Sequence, residues 1–123
     1  MDADEIQPLT AAAVSRLLQS RQAADRDSAD PGKRSTARWA FPGAVEMWVP
    51  GPDGAERHVL GTCHNLTERG VGVRCDDPIE PGLTMAIAVH QPEVSFHGRG
   101  TVRHCSLRGK GYLVGFEFRF DDA

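Results

Sequence analysis

Apolar residues recur at two different periods along this chain, and the change of period divides it. Between residues 10 and 21, Ala11, Val14, Leu17 and Leu18 stand at helical spacing behind Thr10, which can cap the first turn. Ala, Leu, Arg and Gln favour helix, so the stretch predicts one short amphipathic helix. Its stripe is narrow, and about three turns alone are marginal in water, so the helix must pack on the domain or a partner. From Gln22 the chain turns polar and loses periodicity, with Pro31-Gly32 near the end of the stretch, as in a linker.

Beyond the linker, short runs rich in Val, Ile, Phe, Trp and Thr alternate with Pro and Gly clusters at strand-and-turn spacing. Strands are predicted at 44–49, 56–65, 71–75, 83–90, 94–106 and 112–120. Val45, Met47 and Val49 alternate with Ala44, Glu46 and Trp48, and Val114, Phe116, Phe118 and Phe120 with Leu113, Gly115, Glu117 and Arg119. Each such strand has one apolar face. Six strands with a single buried face hide their edges best by closing, so the expected fold is all-β: a six-stranded antiparallel barrel with a short N-terminal α-helix. The expected division is 1–32, helix and polar linker, and 33–123, barrel domain.

Composition narrows the picture. The 123 residues, 40% hydrophobic, suit one domain with a modest core. The longest apolar runs are far shorter than the roughly 20 residues needed to span a bilayer, and the first residues, Met-Asp-Ala-Asp-Glu, are no secretory leader. A soluble, cytoplasmic protein without membrane insertion is expected. Cys63, Cys75 and Cys105 cannot all pair and include no C-x-x-C, which points to reduced thiols. Net charge is −3, but residues 1–30 hold six acids and three bases, leaving 11 of each in the remainder. Broad nucleic-acid binding is not expected, and any anion site must be local.

Two short patterns could make such a site. Arg34-Ser35-Thr36-Ala37-Arg38, preceded by Lys33, sets two guanidiniums on one side of the chain, at roughly 13 Å if extended. Arginine donates paired hydrogen bonds to a phosphate or to guanine N7 and O6, and stacks on purines. Alone, the pattern equally describes two arginines on a solvated loop. Asn65-Leu66-Thr67-Glu68-Arg69-Gly70 reads as a tight hairpin turn, and such a turn can also offer backbone N–H groups and short polar side chains to a ligand.

Together, R-x-x-x-R followed after one hairpin by D/N-x-S/T-x-x-G resembles the two motifs of PilZ domains, here Arg34 and Arg38, then Asn65, Thr67 and Gly70. The segment Gly111-Tyr112-Leu113-Val114-Gly115-Phe116-Glu117-Phe118, behind Gly100-Thr101-Val102-Arg103, is similar to the family's closing hairpin. The resemblance covers about residues 33–120. It implies a barrel of the split-barrel type that binds cyclic di-GMP at one rim, with the arginines on phosphate and the guanine Hoogsteen edge and the second motif around the ligand. Thr67 departs from the commoner Ser but keeps the hydroxyl. A basic residue ahead of the first arginine, Lys33, implies a stacked ligand dimer, because two dinucleotides bring four phosphate charges together. The implied role is a receptor or adaptor that changes conformation or partner docking on binding and acts on an unidentified effector protein. The alternative is a PilZ-like interaction module that binds no nucleotide.

Other chemistries find less support. Cys63-His64 and His104-Cys105 lie on strands where neighbours face opposite ways, so only a two-ligand fragment is available, short of the four a structural zinc needs. Gly70-Val71-Gly72 and Gly98-Arg99-Gly100 precede no helix and are not phosphate loops. No thiol has the local signature of a nucleophile held beside a His, and Glu46 and Glu117 read as isolated acids on solvated strand faces. The expectation is a protein without catalytic activity, metal or cofactor.

Overall fold

In the alternating segments every second side chain goes inward, and the computed structural model, which describes residues 6–27, 43–92 and 94–120, shows where they go. The described residues form β1 (Ile6–Pro8), α1 (Ala11–Asp27), β2 (Ala44–Pro50), β3 (Glu56–Leu66), β4 (Gly70–Cys75), β5 (Thr84–His90), β6 (Ser95–Arg108) and β7 (Gly111–Arg119). Val45, Met47 and Val49 of β2 are buried, as are Val114, Phe116 and Phe118 of β7. The sheet runs β6-β5-β2-β3-β4-β7 with antiparallel neighbours, and pairing of β7 with β6 closes it. This is the expected closed six-stranded barrel. Fully burying each large apolar side chain inside it contributes about 1.5–3 kcal/mol.

The N-terminal segment departs from expectation in two ways. A short strand, β1, pairs in parallel with the start of β6, Ile6 to Ser95 through Pro8 to His97. Three residues containing a proline carry no periodic signal, so only the partner strand defines it. The helix also runs on to Asp27 instead of ending at Arg21, because Gln22, Ala23 and Ala24 are good helix formers and nothing before Pro31 breaks it. Thr10 caps it as expected, its Oγ1 accepting the Ala13 N–H at 3.1 Å. Leu9 links the two elements. Its N–H donates to the His97 carbonyl at 2.9 Å, and its fully buried side chain lies over Gly98, where a Cβ would stand 2.5 Å from the leucine Cβ. With Val14, Leu17 and Leu18 also buried in the core, the helix stripe is covered by the barrel.

Glu46 is not an isolated acid. Its Oε1 pairs with His58 Nε2 at 2.9 Å and its Oε2 with His90 Nε2 at 2.6 Å, and His90 Nδ1 meets Ser95 Oγ at 2.8 Å. Hydrogen bonds from His90, and then from His58, hold the Glu46 carboxyl below its ordinary 4.5. A depressed carboxyl stabilises the fold above its unfolded-state value, and that contribution disappears as pH falls through the folded value. The parent should therefore melt higher than Glu46→Gln near neutrality, with the gap closing as pH falls below the ordinary 4.5 and through the lowered folded-state value. Melting curves of both proteins across that range test this.

Cys63 and Cys75 are buried and Cys105 is half-buried, and no disulfide joins them. Burial pushes the Cys75 thiol up. Among the described residues no three His, Cys, Asp or Glu side chains gather as a metal site requires, and no helix is long and apolar enough to cross a membrane.

Candidate functional site: a glycine-floored groove on the barrel wall

Strict alternation would turn Asn65 into the core, because Cys63 is already buried. A bulge prevents this. Cys63 pairs with Val73 and Asn65 with Gly72, leaving His64 as an extra residue, so that His64 and Asn65 both face outward and Leu66 returns to the core. A second bulge lies on β6, where Val102 pairs with Phe116 and His104 with Gly115, leaving Arg103 extra. Arg103 and His104 both face outward there. The two bulges flank a cross-strand glycine pair, Gly72 on β4 and Gly115 on β7.

The register sets Asn65, Gly72, Gly115 and His104 in one row across four strands, about 14 Å from end to end. The glycines form the floor. A Cβ on Gly72 would collide with the Asn65 side-chain oxygen, and one on Gly115 would stand 2.7 Å from His104 Nε2 and 2.8 Å from Nδ1, with Cε1 closer still. Both nitrogens being nearly as close as the carbon between them means that the imidazole lies flat on the glycine. The result is a groove of about 450 Å3, within the usual range of small-molecule sites. Its lining includes His64, Asn65, Thr67, Arg69, Gly70 and His104.

Thr67 builds the loop at one end. Its Oγ1 accepts the N–H groups of Arg69 at 3.2 Å and Gly70 at 3.1 Å, while its own N–H donates to the Gly70 carbonyl at 2.9 Å. These amides are therefore used inside the turn and are not offered to a ligand, contrary to the expectation from sequence. The Thr67 hydroxyl is a structural part of the turn, which explains why threonine can stand where serine is commoner. The Arg69 carbonyl accepts the Phe118 N–H at 2.8 Å and ties the turn to β7.

Charge on the groove is mixed. The guanidinium of Arg103 is paired with Glu117, Nε donating at 2.6 Å, whereas among the described residues no carboxylate pairs with Arg69. Arg69 is thus a cation on the groove that the sequence motif, naming only Asn65, Thr67 and Gly70, passes over. His64 and His104 were also missed as groove residues: His64 read as a surface imidazole, and only the bulge at Arg103 turns His104 to this face. Lys33, Arg34 and Arg38 lie outside the described residues. The described chain resumes at Gly43, whose carbonyl accepts the Cys63 N–H at 2.8 Å, two residues short of Asn65.

The glycine floor yields a prediction of its own. Gly72→Ala should displace the Asn65 amide, and Gly115→Ala the His104 ring, each with little loss of stability because side chains rather than backbone must move. Any ligand using the groove should bind each variant about tenfold more weakly, as for a lost hydrogen bond to a charged group or a lost stacking face. Titration calorimetry beside melting curves would separate the two effects.

A family model described as the PilZ domain matches residues 32–123. No curated protein matches the sequence.

Proposed function

The chain belongs to the PilZ domain family, and from that premise we propose that it is a cytoplasmic receptor for cyclic di-GMP that takes the ligand in the glycine-floored groove. The observation that carries this reading is that Asn65, Thr67 and Gly70, the residues matching the second family motif, stand together on one groove of suitable volume. The absence of a Cβ on Gly72 and Gly115 lets the Asn65 amide and the His104 ring lie close on the sheet, where a flat purine can meet them. Asn65 offers both donor and acceptor to a base edge, His104 a ring face, and Arg69 a cation for phosphate.

Arg34 and Arg38 complete the site in this reading. Arg38 is five residues before Gly43, at most about 18 Å of extended chain, and Gly43 is fastened beside the strand that carries Asn65. That tether is long enough to bring a guanidinium to the groove. Lys33 supplies a third cation and favours a stacked pair of ligand molecules, whose phosphates two arginines alone would not balance. Nothing in this arrangement activates a nucleophile or moves a proton. The protein acts as a receptor or adaptor whose ligand alters how it meets an effector protein.

A calorimetric titration with cyclic di-GMP, beside melting curves with and without it, tests the proposal. A ligand at 100 times its dissociation constant adds about 2.7 kcal/mol to stability. Saturable binding with a matching rise in melting temperature is expected. No heat and no shift would reject the receptor and leave a barrel that works through protein contacts alone.

A further inference from the structure

Two residues along β4 from Gly72, about 7 Å away, a second row crosses the same outer wall, with Thr62, Arg74, Leu113 and Ser106 paired in turn. Where this row meets the β6–β7 turn the surface forms another hollow of about 320 Å3, lined by Thr62, Arg74, Asp76, Arg108 and Lys110 among others. All five of these side chains are exposed. Arg108 Nε donates to Ser106 Oγ at 3.3 Å, which leaves its terminal nitrogens available. Elsewhere on the barrel, Arg57 is paired with Asp77 and Arg103 with Glu117. Among the described residues no ion pair holds Arg74, Arg108 or Lys110.

Three cations therefore gather round one concavity, with Asp76 the one acid among the residues lining it. In a chain of net charge −3 this concentration is local, and like charges so placed repel unless a counter-charge lies among them. A phosphate meets the requirement: arginine forks bind its oxygens in pairs, lysine adds a point charge, and the Thr62 hydroxyl can donate to it. The hollow adjoins the groove on one face, with Arg74 in the row next to Gly72.

We propose that this basic hollow is a second anion site, which takes a phosphodiester of a cyclic dinucleotide seated in or beside the groove. The identity of that ligand rests on the receptor reading above, whereas the anion chemistry does not. Arg74, Arg108 and Lys110 then join the binding residues, although neither family motif includes them.

The test is a set of cyclic di-GMP titrations of the parent, of R108Q/K110Q and of R57Q, which removes a cation outside the hollow. A parallel set of melting curves uses inorganic pyrophosphate as the probe. The altered positions are exposed, so unliganded melting should barely change, and Arg74→Gln serves as a second variant if the double one does not fold. The expected result is at least tenfold weaker cyclic di-GMP binding in R108Q/K110Q, with a flatter salt dependence, and parent-like binding in R57Q. Parent-like affinity and stoichiometry in R108Q/K110Q would overturn the inference and leave the groove reading standing. Should the parent bind no cyclic di-GMP, stabilisation by pyrophosphate that R108Q/K110Q lacks would keep the hollow as an anion site while the receptor reading falls. Failure of both probes on the parent would overturn both.

Discussion

Gly70→Ala is expected to lose about 2–3 kcal/mol of stability and, with it, measurable ligand binding at ordinary temperature. A Cβ at this position would run into the carbonyl oxygen of Phe116, with the carbonyl carbon at 3.1 Å and the Glu117 Cα at 3.4 Å. These are backbone atoms of the paired strand, so no side-chain rotation relieves the clash. Strand β4 must part from β7 where Gly70 pairs with Glu117, and the Thr67 turn, closed by its bonds to Gly70, goes with it. Chemical denaturation should show a lower midpoint with an unchanged slope. A variant as stable as the parent would mean that the two strands separate more readily than their pairing implies. The contrast with Gly72→Ala, two residues away, is instructive, because there the obstacle is the mobile amide of Asn65.

Arg34→Ala and Arg38→Ala should have the opposite profile. In the proposed site each donates hydrogen bonds to a charged phosphate or a guanine edge, worth roughly 1.5–3 kcal/mol, so each substitution should weaken cyclic di-GMP binding by more than about tenfold. Melting temperature without ligand should hardly move, since the residues precede the first barrel strand. Titration calorimetry and ligand-free melting of the same preparations decide the matter. Parent-like affinity in both variants would remove the arginines from the site.

The contrast between these sets of residues shows what the sequence can convey. The barrel was legible because period-two alternation in β2 and β7 is a direct image of an inside and an outside. Asn65, Thr67 and Gly70 were legible only as a motif, and the groove they border was not. It depends on two bulges, at His64 and Arg103, each of which reverses the direction of the side chains that follow. A bulge has no compositional signature, so a strand read by alternation alone places Asn65 on the wrong face. His104 and Arg69 were hidden for this reason and because a turn arginine looks like any solvated charge. The parallel strand β1 was invisible because its pairing belongs to β6, about ninety residues away. Glu46 read as a lone acid because its partners, His58 and His90, come from two different strands.

Leu9, lodged over Gly98 beside β1, gives residues 28–42 a property that their own sequence does not disclose. The described chain is fixed on both sides of that segment, the preceding helix in the core and Gly43 by its bond to Cys63. The entropy of closing a loop rises only with the logarithm of its length, about 0.6 kcal/mol for each doubling. A few residues added between Asp27 and Gly43 therefore change the local concentration of Arg34 and Arg38 at the groove very little. Loosening Leu9 is a different kind of change, because it weakens one of the contacts that hold the first of these two anchors, beside Val14, Leu17 and Leu18. In the proposed receptor, ligand affinity would then depend partly on a leucine outside the groove.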